Sequence, residues 1–128
     1  MAILDRYRGS TGHATGADLD TAQVFDLLSN ERRCAMVRAL ATSDRDAWEL
    51  GDLAEHVLEA TEGVPTDVAA GQARKRVYVS LYQNHVPVLA AADVIETAKD
   101  GTVVQPAPGC EFLLAALDAV ERVGGEGA

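Results

Sequence analysis

The stretch from Arg74 to Leu89 constrains the fold more than any other part of this sequence, because it has the pattern of one amphipathic helix. At helical spacing its apolar and aromatic side collects Tyr78, Tyr82, Val86 and Leu89, with Leu81 and His85 on the flank. The opposite side is short and polar and carries Arg76, Ser80, Gln83 and Asn84. We therefore predict a helix over about residues 67–91 with an apolar inner side and an outer side that offers amide and hydroxyl groups.

Two short β-patterned segments follow this helix, and the dipeptide Asp100-Gly101 between them favours a tight turn. They predict a β-hairpin over residues 94–105. A helix followed by a hairpin is the second half of a winged helix-turn-helix. Pro87 lies inside the predicted helix and has no N–H group to donate, so we expect a kink or a break there.

The other elements are predicted from capping residues and apolar spacing. Asp20 with Gln23 forms a capping-box pattern for a first helix to residue 28, and Asn30 can cap a second helix to about residue 41. A short strand at 48–50, a helix from Asp52 to about residue 61, and a last helix from about Cys110 to residue 123 complete the order. The predicted fold is mainly α with a small β-hairpin, a winged helix-turn-helix with additional N- and C-terminal helices. We divide the chain into a flexible tail at 1–17, the winged domain at 18–107, a C-terminal helix at 108–123 and a frayed tail at 124–128.

The charge balance restricts the class of protein. The net charge is −9, from 20 acidic and 11 basic residues, and Lys75 and Lys99 are the only lysines. Such a composition is typical of salt-loving organisms, in which concentrated salt screens the acidic surface. The position of the few cations then becomes more informative than the net charge. No apolar run is long enough for a membrane span or a signal peptide, so we expect a cytoplasmic protein without a membrane partner.

Signs of catalysis or of metal binding are weak. Cys34 and Cys110 are far apart in sequence and fit two small buried side chains better than a zinc site or a disulfide. The sequence contains no glycine-rich phosphate loop, no paired-histidine metal motif and no nucleophile elbow. We expect no enzymatic activity, no cofactor and no metal.

Several segments resemble known winged-helix regulators. The segments 27–33 with 36–40, 52–57 and 85–95 resemble arsenic-repressor-type transcription regulators, and Val77 to Tyr82 resembles a haloarchaeal winged-helix family of uncharacterised function. The resemblance covers residues 20–105 and implies a transcription regulator that forms a dimer. The chain lacks the cysteine pair that metal-sensing relatives carry near Leu50 to Ala54, so metal sensing is not carried over. It also has Asp93 where the relatives have a glycine before the wing.

A sequence-specific regulator of double-stranded DNA would use the polar helix side in the major groove. Gln83 and Asn84 can pair with adenine edges, and Ser80 can pair with several bases. The phosphate contacts that we predict are Arg74, Lys75 and Arg76, Lys99 on the wing, and Arg32 and Arg33 at the start of the second helix. Structural alternatives are a solvated polar face, pairing of Arg33 with the carboxylate of Glu31 or Asp26, core positions for both tyrosines, and a buried role for His85.

The alternative function is a protein-interaction module that does not bind DNA. Two apolar stripes on the terminal helices would form a homodimer, and the acidic surface would contact other transcription proteins. The predicted dimer residues are Val24, Leu27, Leu28, Phe112, Leu113, Ala116, Leu117 and Val120. The same stripes could instead pack inside one chain.

Overall fold

The computed structural model describes residues 19–63 and 69–127, and for 125–127 it describes the backbone only. The predicted tail at 1–17 and the predicted start of the central helix at 67–68 lie outside these ranges. The described elements, in chain order, are α1 (Thr21–Leu27), α2 (Glu31–Thr42), β1 (Trp48–Glu49), α3 (Leu50–Glu62), α4 (Ala70–Ser80), a π-helical turn (Leu81–His85), α5 (Val86–Ala91), β2 (Ile95–Ala98), β3 (Val103–Pro106) and α6 (Pro108–Gly127).

The predicted helix starts are confirmed where capping side chains define them. Asp20 accepts from the N–H of Gln23, and the Gln23 side chain accepts from the N–H of Asp20, which completes the capping box of α1. Asn30 accepts from the first two free N–H groups that follow Glu31 in α2. Helix α3 begins at Leu50, two residues before the predicted start, and has no side-chain cap. Helix α6 continues to Gly127, so residues 124–127 are helical rather than part of a frayed tail.

The predicted hairpin forms two strands of a three-stranded antiparallel sheet in the order β1-β3-β2. Ala98 pairs with Val103 beside the turn, and Trp48 pairs with Val104 on the other edge of β3. The wing is thereby joined to the segment that leads into α3. Pairing with β1 gives the hairpin a fixed position relative to the helices. It also adds a third strand, which matters because a two-stranded hairpin alone is only marginally stable.

The core lies between α2, α3, α6 and the inner side of the segment 70–91. Its fully buried side chains include Met36, Leu53, Leu81 and Leu89. Helix α2 packs against α3 and α6, and α3 packs against α4. A single chain thus encloses one apolar core, which is the arrangement that stabilises a domain of this size.

This core corrects part of the predicted dimer interface. Leu27, Leu113 and Leu117 are buried within one chain, so they are not available to a second copy while the fold is intact. Among the other predicted dimer residues, Phe112 and Val120 are exposed, and Val24, Leu28 and Ala116 are half-buried. Only this outer part of the stripes remains a predicted dimer surface.

Residues 70–91 form a continuous helical segment, and the expected disturbance at Pro87 appears as a π-helical turn just before it. The N–H of Val86 donates to the carbonyl of Leu81, five residues back. Because Pro87 has no N–H, the carbonyl of Gln83 loses its usual donor, and a locally wider helix accommodates the missing bond. The segment is therefore neither broken nor interrupted by a loop.

The corner before the wing keeps the conformation that a glycine would favour. Asp93 has φ +61°, in the left-handed region that aspartate tolerates better than most residues. Its carbonyl accepts from the N–H of Gly109 at 3.0 Å, and a Cβ on Gly109 would lie 2.8 Å from that oxygen. Gly109 thus lets the start of α6 approach the wing corner closely.

The architecture is a winged helix-turn-helix, mainly helical with a small antiparallel sheet, and it has an additional helix at each end. Helices α3 and α4 form the two-helix motif, and β2 with β3 forms the wing. Within the described ranges, no helix combines the length and the apolar character that crossing a bilayer demands.

Candidate nucleic-acid interface

The outer side of the segment 70–91 faces solvent. Lys75, Arg76, Gln83 and Asn84 are exposed, while Ser80 is half-buried. The inner side is anchored by buried residues of α4, the π-helical turn and α5: Val77, Leu81, His85, Val86 and Leu89. Polar and cationic groups are thus presented to solvent on a helix whose opposite side is fixed in the core.

The tyrosines correct the predicted orientation of this helix. The sequence pattern predicts Tyr82 on the apolar inner side and Leu81 on its flank. In the structure the Tyr82 side chain is 42% exposed, and Leu81 is fully buried. Tyr78 is half-buried, and its ring stacks on that of Tyr82 with centroids 6.4 Å apart. The two rings lie at the edge of the outer side rather than in the core.

Helix α3 supplies carboxylates to two of the predicted phosphate contacts. Arg74 Nε lies 3.1 Å from Glu55 Oε2, and Arg76 Nη2 lies 2.8 Å from Glu62 Oε1. All four side chains are substantially exposed, so these ion pairs are weak and exchange readily with other anions. Lys75 forms no ion pair with any described residue.

Arg32 lies behind the same face and connects it to α2 and α3. Its Nη1 donates to Ser80 Oγ at 2.9 Å, and its Nη2 lies 3.5 Å from Glu62 Oε2. The Ser80 hydroxyl is therefore already engaged as an acceptor in this conformation. Arg32 orients Ser80 and shares Glu62 with Arg76.

The guanidinium of Arg33 donates to groups within the chain. Its Nε and Nη2 donate to the backbone carbonyls of Leu27 and Asp26, at 2.8 and 3.1 Å, and its Nη1 donates to His85 Nδ1 at 3.3 Å. As the alternative to a phosphate contact, the sequence predicts that Arg33 pairs with the carboxylate of Glu31 or Asp26. In the structure its partners are backbone carbonyls instead. These bonds close the free C-terminal end of α1.

His85 is buried beneath Arg33, which agrees with the alternative that gives this histidine a buried role. Burial first, and then the positive charges of Arg33 and Arg32, lower the pKa of His85 from 6.5 to about 4. A guanidinium can only donate, so Nδ1 must be the acceptor and the neutral ring carries its proton on Nε2. His85 is therefore neutral near pH 7.

The wing lies beside the exposed face of the helix. A Cβ on Gly101 would lie 3.5 Å from the edge of the Tyr82 ring, so the wing turn lies close to that ring. Lys99, Asp100 and Gly101 all have positive φ, and the turn is closed by the N–H of Thr102 donating to the carbonyl of Lys99. Lys99 is exposed at this turn and lines a cleft of about 420 Å³ together with Tyr78 and Glu49.

Comparison with known families identifies a family model that matches much of the chain. A family model described as "Domain of unknown function (DUF7344)" matches residues 25–105. The chain belongs to this family. The matched DUF7344 segment runs from within α1 to within β3, so it contains the complete helix-turn-helix and most of the wing but not α6. No curated protein and no solved structure matches the chain.

The DUF7344 segment and α6 each contain one cysteine, and both are free. Cys110 is fully buried with its Sγ facing the carbonyl of Val37, and burial raises its pKa to about 11. Cys34 is half-buried rather than buried, and burial, followed by the negative charge of Glu121, raises its pKa. Within the described ranges, no group of three His, Cys, Asp or Glu side chains is placed to hold a metal ion.

Two features of the interface were not predicted from sequence. The carboxylates of Glu55 and Glu62 reach the helix from α3, and no local spacing signals a contact between residues so far apart. The exposure of Val79 and Tyr82 was also missed. Here a signal exists, because Val79 is four residues from both Lys75 and Gln83 and so shares their side of the helix.

Proposed function

We propose that this chain is a sequence-specific regulator of transcription that binds double-stranded DNA. The outer side of the predicted recognition helix (about residues 67–91, described from Ala70) enters the major groove, and the wing at residues 94–105 contacts the flanking backbone. Gln83 and Asn84 pair with base edges, while Lys75, Arg76 and Lys99 contact phosphates. Such a regulator acts in the cytoplasm.

One observation carries this proposal: Gln83 and Asn84 are exposed on a helix whose other side is anchored in the core by buried residues. Side-chain amides on a rigid support can form paired hydrogen bonds with adenine, and a rigid support reduces the entropy lost on binding. Had these amides been packed inside the core, base reading through this surface would have been impossible.

The pattern of charges gives further support. Lys75 and Lys99, the only lysines of an acidic chain, lie on the helix face and on the adjacent wing turn. Arg74 and Arg76 are held near that face by exposed carboxylates that a phosphate can replace. Arg33 contributes differently, since each of its three guanidinium nitrogens donates to a group inside the chain. Its role in our proposal is to fix the helix.

Binding to genomic DNA fragments, titrated with potassium chloride, tests the proposal. We expect Gln83→Ala to lose selectivity among fragments at every salt concentration, because base contacts do not depend on counterion release. Arg76→Ala should weaken binding to all fragments and reduce the salt dependence. Arg122→Ala, which removes an exposed arginine on α6, is the matched control and should bind like the parent. Parent-like binding by both interface variants would reject the major-groove model.

A second candidate is a protein-interaction module built on α6. Phe112, Val120 and Val123 on this helix are 39%, 52% and 67% exposed, which is unusual for large apolar side chains on one helix. They fit a homodimer or a contact with another transcription protein. A homodimer is also compatible with DNA binding, because a two-fold symmetric protein can bind two half-sites. Salt-titrated DNA binding separates the two candidates, since a module that only binds protein shows no selective DNA binding.

A further inference from the structure

An exposed valine lies in the middle of the polar face, and an exposed tyrosine lies at the edge of that face. Val79 is 39% exposed and Tyr82 is 42% exposed, although both belong to the helix whose inner side is well buried. Lys75, Val79 and Gln83 are spaced four residues apart and therefore follow one strip along the helix. Val79 thus occupies the centre of the surface that would face DNA, with a cation on one side and an amide on the other.

The Tyr82 ring has neighbours on two sides. One face of it stacks on Tyr78 with an angle of 15° between the rings, and the wing turn at Gly101 lies against its edge. A ring restrained in this way loses little conformational freedom when a ligand contacts it. Val79 has a single side-chain torsion and is branched at Cβ, so its side chain is similarly stiff. Together they form a small, rigid apolar surface bordered by hydrogen-bonding and cationic groups.

We propose that Val79, with Tyr82 beside it, recognises the 5-methyl group of thymine in the major groove. This inference rests on the proposed DNA-binding function and deepens it, because it names the base that the apolar centre of the interface selects. The thymine methyl is the one apolar group that the four bases display in the major groove. Adjacent amides on Gln83 and Asn84 suit adenine, so the preferred sites contain A·T pairs at the centre of the contact.

The test uses DNA in which single thymines are replaced by uracil, which removes the methyl group and leaves every hydrogen-bonding edge unchanged. A DNA site is first selected by the parent protein from a random duplex pool, and each of its thymines is then replaced in turn. We expect one or two positions at which uracil weakens binding about fourfold, the factor for burial of one methyl group at about 0.8 kcal/mol.

Val79→Ala decides whether this side chain is responsible. In the variant, replacement of the same thymine by uracil should have almost no further effect, because the contact has already been lost. Val123→Ala is the matched control, because it removes the same atoms from an exposed valine on α6. Its overall affinity can change with dimerisation, but the ratio of affinities for thymine and uracil should stay about fourfold, as in the parent. Circular dichroism of both variants confirms folding, and neither side chain is buried.

The outcomes separate the inference from the function on which it rests. Selective binding that is indifferent to uracil at every thymine, or an equal response in the parent and in Val79→Ala, overturns methyl recognition and leaves DNA binding in place. A selected site that contains no thymine likewise overturns methyl recognition and leaves DNA binding in place. Failure of the parent to select any DNA sequence overturns the proposed function and this inference together.

Discussion

Replacing Glu62 with glutamine should strengthen DNA binding, although it removes a native ion pair. Glu62 holds Arg76 at 2.8 Å and Arg32 at 3.5 Å, and its own side chain is 35% exposed. In the proposed complex, Arg76 must leave this carboxylate to reach a phosphate. The carboxylate also repels the DNA backbone. Glutamine removes both effects with almost no change in shape.

The size of the effect follows from the exposure of the pair. An ion pair at this exposure is worth about 0.5 kcal/mol. Repulsion between a carboxylate and a phosphate about 8 Å apart in water adds roughly 0.5 kcal/mol at low salt. The sum of about 1 kcal/mol corresponds to roughly fivefold tighter binding. Release of one arginine should also steepen the dependence of log K on log salt by at most about 0.9.

Fluorescence anisotropy with a labelled duplex, at the lowest salt at which the chain stays folded, measures both quantities. Glu59→Gln is the control, since it makes the same charge change on α3 at a carboxylate without an ion pair among the described residues. We expect that control to change affinity by less than about twofold. Unchanged or weaker binding by Glu62→Gln would show that Arg76 does not reach the DNA backbone.

Three further predictions concern the scaffold that supports the interface. Because the pKa of His85 is lowered from 6.5 to about 4, the unfolded chain binds a proton more readily, so the free energy of unfolding should fall by about 3 kcal/mol from pH 6.5 to pH 4. His85→Gln should reduce that slope in urea melts. Gly109→Ala should destabilise the fold by about 2 kcal/mol, because the new Cβ meets the Asp93 carbonyl at 2.8 Å. An unchanged melting temperature would mean that the backbone at Asp93 shifts at little cost to make room for the new Cβ. Asn30→Ala should cost about 1 kcal/mol through the two N–H groups that it caps, and a change below 0.3 kcal/mol would contradict that role.

The elements that local chemistry determines were predictable from sequence. Asp20 and Asn30 mark helix starts because their side chains bond to N–H groups two or three residues away. Asp100-Gly101 marks the wing turn because that turn requires positive φ. Such signals involve neighbouring residues only, so a single sequence is sufficient to detect them.

Features that depend on packing between segments far apart in the sequence were predicted less well. The helical pattern placed Tyr82 on the buried side, whereas packing against α3 and seating of the wing left its ring at the exposed edge. The pairing of Arg76 with Glu62 depends on how α3 and α4 are arranged, and sequence spacing does not contain that information. For the same reason, Leu113 was predicted at a dimer surface and is a core residue.

Selection of DNA sites from a random duplex library tests the central claim most directly. The parent chain and a variant with Gln83→Ala and Asn84→Ala would be compared in concentrated potassium chloride, where phosphate contacts contribute least. We predict that the parent enriches a defined motif and that the variant, although folded, does not. Enrichment of no motif by the parent, or of the same motif by both proteins, would contradict recognition of DNA through the outer side of this helix.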